Sequence, residues 1–245
     1  MTTTPHIAPN TERVDSAHVN RAEALRYLGH AGQELSPDLE GRLDAAIQAI
    51  EAAAAPAFTF AVFPALQTDD AIELDGAAIA LRGRDIRTHL AGAQMVAVCA
   101  CTLGIASERA LQRATAQSAL DALLMDAAGS SLIEEVANVC EARIAAYGGE
   151  RELITNSRFS PGYGDLPLDV QPGIVRTLDA QKAIGVSVTE SNLVIPRKSI
   201  TAFIGLFDPA HAAAKEGAAR VKFSCTQCVC ADSCALRKAG SPCYR

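Results

Sequence analysis

The ten residues from Arg158 to Pro167 set the firmest limit on how this chain can fold. They hold two prolines, two glycines and an aspartate, which rules out a long helix or a central strand. Pro161 fixes its own φ and pushes Ser160 into an extended conformation. Gly162 and Gly164 permit backbone conformations that a side chain would obstruct. The chain must therefore turn here, on a stiff loop that can hold Arg158, Tyr163 and Asp165 in place. An arginine offers a planar fork to a carboxylate or phosphate, and a tyrosine offers a flat face and a hydroxyl. Two readings stand side by side: a ligand loop, or an ordinary turn with an arginine on its surface.

Patterning on either side predicts a helical start, a small sheet and one long helix. Val19–Leu28 has a short amphipathic pattern with Asn20 as a cap. Ser36 and Pro37 open a second helix with an N-cap and a first-turn proline, and Leu39, Leu43, Ala46, Ile47 and Ile50 form its apolar stripe. Phe58–Phe63 is rich in strand formers. Ala71–Leu74 and Ala77–Leu81, split by Asp75-Gly76, read as a hairpin. Asp85–Leu90 reads as a helix. Met95–Cys101 reads as a buried strand, with Cys99 and Cys101 as small core residues on one face. Thr102-Leu103-Gly104 then leads into a helix over Ile105–Ala114, with Gly104 either closing the turn or admitting a ligand.

Gln117–Tyr147 is the longest helical pattern, ended by Gly148-Gly149. Its small residues Gly129, Ser130 and Ser131 suit a close crossing or a ligand contact. Glu134, Asn138 and Glu141 line its polar side and read as a solvated face. Beyond the loop, Leu168–Leu178 and Asp179–Ile184 read as short helices. Val186–Glu190 and Ser199–Phe207 read as strands that pair with each other through the connection at 194–199.

Composition narrows the function. Of 245 residues, 49% are apolar and the net charge is −6, so a globular chain is expected and nucleic acid is not an expected partner. No apolar run reaches membrane-spanning length. Residues 1–10 lack the basic start and apolar middle of a signal peptide, so the cytoplasm is the expected compartment. Residues 1–17 read as a disordered tail, 18–212 as one α+β domain and 213–245 as a cysteine-rich tail. Five of the eight cysteines fall in that tail, at Cys225, Cys228, Cys230, Cys234 and Cys243. Such spacing suits zinc or an iron–sulfur cluster, or free redox-active thiols, and matches neither the ferredoxin repeat nor a zinc finger. The five histidines are scattered without metal spacing.

Arg-x-x-Pro-Gly-Tyr at 158–163, followed by Asp-Leu-Pro-Leu-x-Val-Gln at 165–171, resembles the activation domain of cobalamin-dependent methionine synthase. It more closely resembles the short stand-alone activation proteins that share that fold. Two further segments resemble the family in the same order: the strand, Thr-Leu-Gly and helix around 95–105, and Thr189-Glu190-Ser191 followed by x-Pro-x-x-Ser. The loop departs from the large enzymes, which follow Pro-Gly-Tyr with a different run. The resemblance implies an α+β fold of the activation-domain kind, a mostly antiparallel twisted sheet with flanking helices and a Cys-rich C-terminal tail. It implies S-adenosylmethionine bound beside a cobalamin carried in trans by a partner, a methionine synthase lacking its own activation domain. A flavodoxin-like or other donor would supply the electron. By the same resemblance Arg158 meets the ligand carboxylate and Glu134 its ammonium. Ser160 and Gly162 contribute loop contacts, and Tyr163 stands at the junction with the corrinoid. Two other functions compete. One is an electron-delivering partner of another corrinoid protein. The other is a free-standing methyltransferase, disfavoured by the lack of a Gly-rich βα turn and of a general base in the loop.

Overall fold

The computed structural model describes residues 9–30 and 32–210. The cysteine tail lies outside them. Strands β1 (Asn10–Arg13), β2 (Ala57–Gln67), β3 (Ile72–Leu74), β4 (Ala80–Leu81), β5 (Met95–Thr102), β6 (Ile154–Thr155) and β9 (Ser199–Phe207) form one sheet. Its order is β4-β3-β2-β5-β9-β6, with β1 beside β2, and every pairing is antiparallel. β1 and β3 take opposite ends of the same long β2 edge, at Ala57–Phe60 and Ala65–Gln67. Asn10–Arg13 thus holds a strand inside the stretch read as a disordered tail.

The centre of the sheet is covered on both faces. Phe58, Phe60, Val62, Ala97, Cys99, Cys101, Ala202 and Ile204 point to one side, where helix α5 (Ala119–Gly149) packs through Leu132, Val136, Cys140 and Ile144. Ala61, Phe63, Val96, Val98, Ala100 and Phe203 point to the other. There they meet α3 (Arg84–His89), α6 (Gln171–Thr177) and α7 (Ala180–Ile184) through Ile86, Ile174 and Ala180. Double coverage explains why β5 and β9 read as nearly unbroken apolar runs. Phe58 and Phe203 are wholly buried, each contributing about 1.5–3 kcal/mol by leaving water.

The first half of α5 lies beyond the sheet, in a helical cluster with α1 (Arg21–Tyr27), α2 (Pro37–Ala53) and α4 (Ile105–Gln117). The expected caps form: Asn20 accepts from Ala22 and Glu23, and Ser36 from Leu39. The small residues of α5 serve the crossing. A side chain at Gly129 would press on Lys198 and Ile50, and the Ser131 hydroxyl bridges the backbone N–H and carbonyl of Asn20, both at 3.0 Å. Gly104 closes its turn against Ala55 at a φ of +79°. Cys99, Cys101 and Cys140 are buried together between the sheet and α5.

One expected pairing is wrong. Val186–Glu190 does not pair with Ser199–Phe207. Ser187–Val188 (β7) pairs instead with Val194–Ile195 (β8) as a separate two-stranded ribbon. β9 lies between β5 and β6. The physical reason is local: Thr189 accepts from the Leu193 N–H and closes a tight turn, so the hairpin forms five residues earlier than the long connection would allow.

Candidate functional site

Arg158 stands three residues beyond the short β6 strand, and its side chain reaches α5. Three side chains of that helix receive it. Glu141 accepts the Arg158 backbone N–H at 2.9 Å and its Nη1 at 2.6 Å. Asn138 Oδ1 accepts from Nη1 at 3.0 Å. Glu134 Oε2 accepts from Nη2 at 2.5 Å. Residues 134, 138 and 141 are spaced four and three apart, so one helix face presents all three. The residues read as a solvated face are the receptor for the loop arginine.

Burial works against the charge of Arg158, but the carboxylates of Glu141 and Glu134 outweigh it and hold the guanidinium pKa above its ordinary value. The side chains remain in touch with solvent, Arg158 at 21% exposure, Glu141 at 30% and Glu134 at 38%. Two carboxylates and one guanidinium leave the cluster with a formal charge of −1. Tyr27 of α1 stands close enough for Glu134 to act on it. Desolvation first and the Glu134 charge second raise its phenol pKa.

The loop is held from beneath by α3. The Asp165 carboxylate accepts the backbone N–H groups of Arg84 at 2.7 Å and Asp85 at 3.0 Å, capping that helix. These bonds keep the Asp165 carboxyl below its usual range. The fit is tight: a Cβ on Gly164 would stand 2.4 Å from Asp85 Oδ2, and one on Gly83 2.7 Å from Asp165 Oδ1. At the other end of α3, Asn156 Nδ2 donates to the His89 carbonyl at 2.9 Å, and His89 Nε2 meets the Ser157 carbonyl at 2.8 Å. The His89 ring lies against Phe159 at 5.1 Å, and burial lowers its pKa. Phe159 is buried and bridges to Phe203 of β9.

Of the residues singled out in the sequence, the fold brings Arg158 and Glu134 into contact. Tyr163 lies on the same loop, half exposed, its ring edge-on to Phe159 at 5.9 Å. The Ser160 carbonyl accepts from the Tyr163 N–H and the Gly162 N–H donates to Leu166, so both are engaged in shaping the loop. Gly162 takes a φ of +91°. Asp165, read as a residue the loop presents, turns its carboxylate onto α3 instead. Cys225, Cys228, Cys230, Cys234 and Cys243 lie outside the described residues. Among the described residues no group of His, Cys, Asp or Glu is arranged to hold a metal ion. Glu141, Asn138 and His89 went unassigned. The spacing at 134, 138 and 141 was the signal for the first two, and nothing local marks His89.

By sequence, no family model and no curated protein matches the chain. Thirteen chains of solved structures match its fold. One is a crystal structure of the MetH reactivation domain bound to AdoHcy, with a TM-score of 0.62 at 15% identity, covering 97% of this chain and 89% of that one. The antiparallel sheet with flanking helices is therefore similar in fold to the MetH reactivation domain. Among the described residues no helix is long and apolar enough to cross a membrane.

Proposed function

We propose that this protein supports reactivation of a cobalamin-dependent methionine synthase by binding S-adenosylmethionine through Arg158 and Glu134. The observation that carries the reading is the contact between these two side chains, made in a fold shared with a reactivation domain that binds AdoHcy. An α-amino acid head group carries one carboxylate and one ammonium. Arg158 offers the planar fork that suits the first, and Glu134 offers an accessible carboxylate for the second. The residues present fit the head group.

When bound, S-adenosylmethionine supplies a methyl group on a sulfonium, for transfer to a corrinoid that an external donor has reduced by one electron. The chain's own contribution is positioning. Arg158 and Glu134 anchor the head group. α3 stiffens the loop below it through Asp165 and His89. Tyr163, half exposed on that loop, faces the partner's corrinoid. The partner is a methionine synthase without an activation domain of its own, met in the cytoplasm, with a flavodoxin-like or other electron donor. Zinc or an iron–sulfur cluster on the tail cysteines stays a separate proposal.

The test is a calorimetric titration of S-adenosylmethionine into the wild type and Arg158→Ala, with and without a corrinoid-loaded methionine synthase. Loss of a charged hydrogen-bonding partner of this kind costs about 1.5–3 kcal/mol, or roughly ten- to a hundredfold in affinity. Binding in the wild type that weakens to that degree in the variant is expected. No binding under either condition, with iron present in the purified protein, would move the assignment to the electron-delivering partner.

A further inference from the structure

The Arg158 cluster holds one carboxylate more than the guanidinium needs, and the two are not equivalent. Glu141 binds Arg158 twice, at its backbone N–H and at Nη1. It therefore fixes both the start of the loop and the direction of the side chain. Glu134 makes a single contact, to Nη2, and is the more exposed of the two. It accepts only from the far end of the fork, where a ligand carboxylate would have to dock.

We infer that Glu141 is the resident counter-ion that positions Arg158, whereas Glu134 is an exchangeable one that leaves Arg158 for a ligand ammonium. The inference rests on the amino-acid binding proposed above and adds to it a division of roles. In the free protein Glu134 stands in for the ligand carboxylate. On binding, that carboxylate takes over Nη2 and the ammonium takes over Glu134. The Arg158–Glu134 pair gives way to two pairs, Arg158 with the ligand carboxylate and Glu134 with the ammonium, while Glu141 stays on Arg158 and the net charge of the site is unchanged. With Glu141 already neutralising Arg158, Glu134 carries the surplus negative charge of the site, which favours ligands bearing an ammonium. The site therefore selects for both charges of an α-amino acid head group, and a ligand with the carboxylate alone must displace Glu134 without compensating it. Glu141 is a positioning residue, since it acts only through Arg158.

Three ligands separate these roles: S-adenosylhomocysteine, its analogue lacking the amino group, and 5′-methylthioadenosine, which lacks the whole head group. Titrations use the full-length wild type, Glu134→Gln and Glu141→Gln, with circular dichroism to check that each is folded. The wild type is expected to prefer S-adenosylhomocysteine over both analogues by roughly tenfold or more. Glu134→Gln should lose that preference over the deamino analogue, and should bind the deamino analogue at least as tightly as the wild type does. Glu141→Gln should weaken both carboxylate ligands together and leave 5′-methylthioadenosine unchanged, which a general loosening of the fold would not do. The assignment is overturned if Glu134→Gln weakens the deamino analogue as much as S-adenosylhomocysteine, or if Glu141→Gln leaves the affinity of the two carboxylate ligands relative to 5′-methylthioadenosine as in the wild type. Should Glu141→Gln not fold, the Glu134→Gln titration alone decides. If the wild type binds none of the three, even beside a corrinoid-loaded methionine synthase, the amino-acid reading itself fails and this inference falls with it.

Discussion

Arg158 and Arg197 are built into the protein in the same way, yet among the described residues only Arg158 gathers a second carboxylate. Each donates its backbone N–H and its guanidinium to one glutamate of a helix. Arg158 uses Glu141 of α5, at 2.9 and 2.6 Å. Arg197 uses Glu108 of α4, at 3.0 and 2.9 Å. At Arg197 the described residues supply one cation and one nearly buried anion, with an arginine side chain that is 59% exposed and the Gln112 amide donating to Glu108 at 3.5 Å. At Arg158 a second carboxylate and an amide are added on the same helix face. A saturated pair pins the chain before β9 to α4. An oversupplied one leaves a surplus carboxylate, the one proposed above to exchange. What separates the two arginines is the number of partners, not the residue or its loop, and that difference is what the proposed ligand binding at Arg158 rests on.

The comparison breaks if the two arginines respond alike. The largest expected effect is the loss of S-adenosylmethionine affinity in Arg158→Ala described above, while Arg197→Ala should keep that affinity within about twofold in the same titration. A comparable loss at Arg197 would make the contrast meaningless. Next in size is Gly164→Ala. Its φ of +51° and the approach of Asp85 leave no room for a methyl, so about 2 kcal/mol of stability should be lost in urea unfolding. An unchanged midpoint would show that the loop is not clamped to α3.

Asp165→Ala removes a helix cap and should cost about 1 kcal/mol. Its sign with pH is fixed by the lowered carboxyl pKa. The stabilisation is complete above the unfolded value of about 3.9 and disappears as pH falls through the lower folded value. Asp165→Asn should therefore flatten the acid limb of the stability profile below about pH 4. The smallest effect concerns His89. Burial lowers its pKa, so the unfolded chain binds a proton that the folded one resists. Stability should fall as pH drops below about 6.5, and His89→Gln should remove that slope between about pH 7 and 5. At the other site, Arg197→Ala should cost no more than about 1 kcal/mol, because the pair is partly exposed and Glu108 keeps the backbone N–H.

Much of the fold could be read from local pattern. Ser36-Pro37 opened α2, Asp75-Gly76 turned the β3–β4 hairpin, and the apolar runs at 95–101 and 199–207 became the central strands β5 and β9. The reading failed where pairing depends on a partner far away in sequence. Val186–Glu190 and Ser199–Phe207 both had strand composition, but one edge of β9 is taken by β5 over Ser199–Leu206 and the other, at Phe203, Leu206 and Phe207, by Phe159 and β6, a competition no local window records. Asn10–Arg13 looks polar and featureless, and is a strand only because β2 offers it an open edge.

The site divides in the same way. The loop's stiffness, its arginine and the glutamates at 134 and 141 were determined by the sequence, because proline, glycine and helical spacing act within a few residues of themselves. Which face of α5 meets solvent and which meets Arg158 was decided only by the tertiary structure. Helical periodicity groups polar residues on one side but cannot tell water from a guanidinium brought in 17 and 24 residues later. The same holds for Asp165, whose carboxylate was free to face a ligand until α3 presented two unpaired N–H groups from eighty residues upstream.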